Sequence, residues 1–217
     1  GDCLDILPTL EAGSIDAVIM DLPYGTIDAE WDSIISLDFM WRQVARLGKP
    51  IWSAVLFGQM PFTFILGASN LAQYRHSITW KKDKSGNFLA SHYMPVKHTE
   101  NILVFSNCGF AHNSRPKATY NPQMKKGEKY DPDRHAGSKR VGSSLKQIKV
   151  RPETSLNWAK AKASEVSRYA GELRYPSDLV SFPVPQKSKR HHPTQKPVAL
   201  MEYLIKTYTN EGDTVLD

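Results

Sequence analysis

The chain has 217 residues, of which 41% are hydrophobic and 23% charged, and it carries a net charge of +6. This composition suits a soluble globular protein with one core of ordinary size and a smaller appended region. No apolar run approaches the roughly 20 residues of a membrane span, Asp2 and Asp5 fall where a signal peptide needs positive charge, and Cys3 and Cys108 make neither a disulfide framework nor a zinc site, so a reducing cytoplasm is the expected compartment.

The first half reads as strands alternating with helices. Ile15 to Met20 is a β-branched apolar run that ends at Asp21-Leu22-Pro23-Tyr24-Gly25. Leu37 to Arg46 has apolar residues at helical spacing and is stopped by Gly48-Lys49-Pro50. Ile51 to Phe57 is a buried-type strand, Phe62 to Leu71 a helix weakened by Gly67, and Tyr74 to Trp80 and His98 to Phe105 are strands. Such alternation predicts an α/β fold with a mostly parallel sheet covered on both faces.

Between Ser106 and Arg190 prolines, glycines, lysines and serines dominate, with Trp158, Tyr169, Leu173 and Tyr175 as a candidate weak core. From Ala111 to Arg151 eleven Lys/Arg face three Asp/Glu, a local net of +8, whereas the remainder nets −2. One segment therefore carries the whole basic excess, the footprint expected for a phosphate backbone, although a solvated lysine-rich loop has the same composition. After Pro197, Val198 to Tyr208 is an amphipathic helix, and Asn210 to Asp213 turns the chain into a last strand at Thr214–Asp217. The expected division is 1–105, 106–190 and 191–217. A start on Gly1 and an end on an apolar strand read as a piece of a longer protein.

The stretch at Asp21 is the first candidate site. Open α/β sheets place ligands at the carboxyl ends of their strands. Pro23 fixes its own φ and keeps Leu22 out of the helical region, which leaves the Leu22 carbonyl available to the site, while Tyr24 offers an aromatic face and Gly25 a tight turn. An exocyclic amino group on a base has two N–H donors. The Asp21 carboxylate and the Leu22 carbonyl can accept one each, freeing the nitrogen lone pair for an incoming methyl group, and Tyr24 can stack on a base that has left the duplex. Taken alone, the stretch also reads as a strand-end turn capped by Asp21. His191 and His192 are adjacent and so point in different directions, with no cysteine or carboxylate beside them, and no metal site is expected.

Asp21-Leu22-Pro23-Tyr24 resembles the D-P-P-Y catalytic motif of amino-group (N6-adenine/N4-cytosine) DNA methyltransferases, and His192-Pro193-Thr194-Gln195-Lys196-Pro197 matches their H-x-T-Q-K-P signature. Thr214 to Asp217 resembles the strand that leads into their glycine-rich S-adenosylmethionine loop, and the motif order is that of the β-type subgroup. The wider pattern, with Pro61 and Tyr120-Asn121-Pro122-Gln123, is similar to phage or prophage adenine methyltransferases. The resemblance implies a Rossmann-like fold with circularly permuted motifs, S-adenosyl-L-methionine as cofactor, and adenine N6 in double-stranded DNA as target, in a bacterial or phage-infected cell. It implies that Asp21, Leu22, Pro23 and Tyr24 hold the target base. Asp2 and Cys3 would lie near the cofactor's adenosine end, Thr194, Gln195 and Lys196 would line its pocket, and Asp217 would sit beside its methionine portion. Arg115, Lys117, Lys125, Lys126, Arg134, Lys139, Arg140 and Lys149 occupy the family's place for target recognition. Enzymes of this type often dimerise, and some act beside a restriction endonuclease. Leu22 departs from the motif's first proline, which a backbone contact tolerates. The competing expectations are N4-cytosine methylation or methylation of RNA and, for a chain ending before the glycine-rich loop, a non-catalytic DNA-binding fragment.

Overall fold

A computed structural model describes residues 3–25, 32–110, 114–127, 173–186, 188, 191–192 and 194–217. The chain forms two compact units, Gly1–Pro122 together with Ser177–Asp217, and Gln123–Pro176.

The first unit is built on a six-stranded sheet. Strand β1 (Ile15–Met20) lies parallel to β2 (Gly48–Gly58) on one side and to β8 (Val215–Leu216) on the other. Strand β4 (Lys97–Ser106) runs antiparallel to both β2 and β3 (Tyr74–Gly86), and β7 (Leu179–Ser181) lies parallel to β3. The order is β7-β3-β4-β2-β1-β8, with β4 alone running against the rest. The sheet is thus mixed and mostly parallel, as its sequence alternation predicts.

Both faces of the sheet are covered, because successive strand residues point to opposite sides. On β2, Ala54 and Leu56 join a core cluster with Met40, Val44, Leu47, Phe62 and Leu66. Val55 and Phe57 join a second cluster with Ile102, Val180, Leu200, Leu204 and Tyr208. The first face is therefore roofed by α2 (Leu37–Leu47) and α3 (Phe62–Ser69), the second by α4 (Val198–Tyr208). A short helix α1 (Cys3–Ile6) opens the chain.

Local chemistry explains the boundaries. Ser36 caps α2 by accepting from the Phe39 amide, Asp38 occupies the first turn and Arg46 the last, each favourable to the helix dipole. The helix ends at Gly48, where a Cβ would come within 2.4 Å of Trp52 Cδ1. Leu200 and Leu204 are fully buried and follow the i, i+4 spacing; each contributes about 2 kcal/mol of apolar burial. No helix among the described residues is long and apolar enough to cross a membrane.

The stretch 106–190 divides differently in space than its composition suggests. Leu179–Ser181 joins the main sheet and buries Val180 completely, although three residues are too short to show a period. The second unit contains a two-stranded ribbon in which β5 (Lys125–Lys126) pairs antiparallel with β6 (Leu173–Arg174). Leu173 and Tyr175 are exposed rather than forming a weak core, and Trp158 and Tyr169 lie outside the described residues.

Candidate active site

β1 delivers Asp21 to its carboxyl end, and β8 delivers Asp217 to the same end one strand away, since Ala17 pairs with Val215 and Val18 with Leu216. Successive strands continue from β1 toward β2, whereas β8 lies on the opposite flank. The crevice between β1 and β8 is therefore a topological switch point, where sheets of this kind take ligands.

Four side chains meet above the end of β1. The Tyr24 hydroxyl lies 2.6 Å from Asp21 Oδ1 and 2.8 Å from Glu100 Oε1. Lys196 Nζ lies 2.8 Å from the same Asp21 oxygen and 2.7 Å from the same Glu100 oxygen. On the far side of Glu100, Lys82 Nζ sits 2.5 Å from Oε2. Trp80 is directly opposite Glu100 across β3 and β4, so Lys82, two residues on, shares its face.

The cluster is electrically balanced, with two carboxylates matched by two ammonium groups. Glu100 is nearly closed off from solvent, its side chain only 4% exposed, whereas Asp21 is 28% exposed and forms the outer lip. Burial alone would raise the Glu100 carboxyl, but Lys196 and then Lys82 overcome it and hold it below the ordinary carboxylate value. Burial, reinforced by the charges of Glu100 and Asp21, pushes the Tyr24 phenol well above its ordinary value. Tyr24 consequently stays protonated and acts as a donor, with a single proton shared between two carboxylate oxygens.

The supports are equally specific. Phe62 stacks on Tyr24 with ring centroids 5.4 Å apart and planes 25° apart. The Phe57 ring centroid lies 4.8 Å from Lys196 Nζ, a cation–π contact beneath the ammonium. The Tyr24 amide donates to Asp32 Oδ1 at 2.8 Å. Gly25 then takes φ +65°, a left-handed conformation that suits glycine, and a Cβ there would stand 3.0 Å from Ile34 Cγ1. Lys196 is aimed by a self-bonded turn: His192 Nδ1 lies 2.8 Å from Thr194 Oγ1, the Gln195 amide donates to the His192 carbonyl, and Gln195 Oε1 accepts from the His191 amide.

A family model described as DNA methylase matches residues 15–217. The chain belongs to this family of amino-group DNA methyltransferases. Its members act on N6 or N4 amino groups and depend on S-adenosylmethionine. The methylase is 25% identical over 233 residues to the DNA adenine methyltransferase YhdJ of Escherichia coli (strain K12), with all of this chain and 68% of that protein covered. Its fold is that of M1.HpyAVI. Against the structure of that protein's SAM complex the TM-score is 0.54 at 23% identity, covering all of this chain and 79% of the other. Against M1.HpyAVI solved separately the TM-score is 0.52 at 21% identity, with 100% and 77% covered.

The remaining residues marked in the sequence of the methylase are distributed as follows. The Leu22 side chain is buried in the core, 7% exposed. Asp217 is exposed at the end of β8. Cys3 begins α1 and shares no hydrogen bond or ion pair with the Asp21 cluster among the described residues; Asp2 lies outside them. Arg115 is exposed, with Nη1 on the Ser114 carbonyl, and Lys117 bridges to Gly109, both in the first unit. Lys125 and Lys126 are exposed on β5 in the second unit, and Arg134, Lys139, Arg140 and Lys149 lie outside the described residues. Sequence reading missed Glu100, Lys82, Asp32, Phe57 and Phe62. A signal existed for Glu100 alone, the one carboxylate of a strand whose second half, Ile102 to Phe105, is a continuous apolar run, since a carboxylate drawn into such a strand rarely goes unpaired.

At the amino ends of the strands, a polar hollow is lined by Asp16, Trp52, Ser53, Tyr208, Asn210 and Asp213. There Asp16 accepts from Lys49 and from the Thr214 amide, tying β8 to β1. That hollow lies at the end of the sheet opposite the crevice.

Proposed function

We propose that the methylase transfers a methyl group to N6 of adenine in DNA, with the base rotated out of the duplex. The observation that carries this reading is the cluster of Asp21, Tyr24, Lys196 and Glu100 at the carboxyl end of β1, beside the β1/β8 crevice. Asp21 accepts one N–H of the amino group and the Leu22 backbone carbonyl the other, which turns the nitrogen lone pair away from the ring. Tyr24 supplies an aromatic wall whose orientation its hydroxyl bonds and Phe62 fix. No protein nucleophile is needed, so the catalytic contribution is positioning.

The donor set fits the cofactor. Once bound, S-adenosylmethionine supplies an electrophilic methyl group on a cationic sulfonium. Asp21 and Asp217, at the ends of adjacent parallel strands, offer carboxylates to a cation, while the charge of Lys196 is already absorbed by Glu100 and Asp21. Thr194 and Gln195 would line the pocket through the turn they stabilise, with Asp2 and Cys3 toward its adenosine end. The SAM complex of M1.HpyAVI supports this reading, and YhdJ, named an adenine methyltransferase, supports the choice of base. Arg115, Lys117, Lys125, Lys126, Arg134, Lys139, Arg140 and Lys149 would contact phosphates and base edges.

Transfer of tritiated methyl from S-adenosylmethionine to unmethylated plasmid DNA is the test. Asp21→Ala should reduce the rate by at least about 100-fold. An unaltered rate would sink the proposal. Mass spectrometry of the digested nucleosides should show N6-methyladenine; N4-methylcytosine would correct the base.

A further inference from the structure

The connection between β3 and β4 is not a slack loop. The Ala90 amide donates to the Asn87 carbonyl, the Ser91 amide to Phe88, and the amides of Tyr93 and Met94 both to Ala90. The Lys97 amide donates to Asn87 Oδ1 at 2.8 Å, closing the base. This hydrogen-bonded knob carries its large apolar side chains outward: Leu89 is 94% exposed, Tyr93 89%, Phe88 74% and Met94 50%. Such a cluster at the tip of a preformed turn, rather than scattered over a surface, marks an interaction site.

Its position and charge indicate the partner. β3 runs in the same direction as β1 and β2, so the knob projects past the end of the sheet that bears Asp21. Lys97 is three residues along β4 from Glu100, which places the knob's base about 10 Å beyond the cluster. Lys97 Nζ lies 3.5 Å from the Met60 carbonyl, beside the start of α3, whose Phe62 stacks on Tyr24. Lys82 is taken up by Glu100, which leaves exposed Lys81 and Lys84 and half-buried Lys97 against exposed Asp83 on the strands that lead into and out of the knob. An apolar tip on a net-positive stem suits a polyanion with stacked aromatic faces, not a second copy of the same basic surface.

We propose that the knob at 87–96 is a wedge that enters the DNA duplex at the target base pair, with Leu89 and Tyr93 packing into the stack from which the base is extruded. The wedge rests on the proposed function. Unstacking is costly, and an apolar side chain that fills the gap offsets it.

The test uses the full chain and the double variant Leu89→Ala/Tyr93→Ala. The methylated sequence is first read from plasmid DNA treated with the unsubstituted chain. Fluorescein-labelled duplexes carrying that sequence are then prepared with the target base either paired or mispaired. The variant should keep the thermal midpoint of the unsubstituted chain, since both side chains are exposed. Its Kd and KM for the paired duplex should rise about tenfold, shrinking to within about twofold on the mispaired duplex, where extrusion is already easy. Equal behaviour on the paired duplex, or an equal loss on both, overturns the wedge. So does a loss of self-association in analytical ultracentrifugation with unchanged DNA affinity. Absence of methylation by the unsubstituted chain overturns wedge and proposed function together; methylation by it with an unaltered variant overturns the wedge alone.

Discussion

Lys196 and Asp21 come from opposite ends of the chain, yet Nζ of one lies 2.8 Å from Oδ1 of the other. The same ammonium holds Glu100 at 2.7 Å, with only 12% of the lysine side chain exposed. The turn before α4 and the end of β1 are thus locked together by one charge serving two carboxylates.

Lys196→Met removes that charge while keeping a side chain of similar length. Lys82 still pairs with Glu100, so the loss should lie at the lower end of the range for a broken buried pair, about 3 kcal/mol. Urea unfolding followed by circular dichroism measures it. Adding Glu100→Gln should recover part of the loss, because the buried carboxylate left short of a partner is then neutral.

Tyr24→Phe keeps the stack on Phe62 and deletes the hydroxyl that bridges Asp21 and Glu100. Loss of a hydrogen bond to charged acceptors corresponds to about a tenfold fall in kcat. The same bond supports folding, so the thermal midpoint should fall by about 3–6 °C. Steady-state methyl transfer and a thermal melt on the same preparation separate the two effects, and a large drop in midpoint with unchanged kcat would assign Tyr24 a structural role instead.

Glu100 predicts an acid limb in stability. Its folded carboxyl is held below the ordinary value of 4.5, so the stabilisation from its ion pairs is complete above pH 4.5 and is lost as pH falls through the folded value. Urea midpoints should therefore decline below about pH 4.5, and Glu100→Gln should flatten that decline. An identical slope in the variant would show that other carboxylates carry the acid limb.

His76 acts in a separate window. Burial lowers its pKa below the ordinary 6.5, and its Nε2 lies 2.8 Å from the Tyr208 hydroxyl with Phe110 edge-on to the ring. The unfolded chain binds the proton first, so stability falls as pH drops below 6.5 toward the folded value. His76→Gln should remove that component while leaving the lower-pH decline due to Glu100. Denaturant midpoints at half-unit pH steps resolve the two.

The element pattern was legible because it rests on short-range chemistry. Ile15–Met20 and Val198–Tyr208 coincide with their apolar periods, and the bounds of α2 follow from Ser36 at its start and Gly48 at its end. The β7 strand escaped notice because three residues hold no period, and only pairing with β3 and burial of Val180 define it.

At the site, the sequence by itself marked the two segments on which the proposed chemistry draws, the Asp21–Tyr24 stretch and the turn that ends in Lys196, both recognisable from residue type and order. The tertiary structure alone decided what those residues touch. Glu100 and Lys82 belong to a hairpin that no motif marks, and sheet register brings them to Lys196 and Tyr24. Charge compensation depends on distance in space, and a buried carboxylate's partners are fixed by which strands pair and which face each residue takes. Spacing along the chain encodes neither.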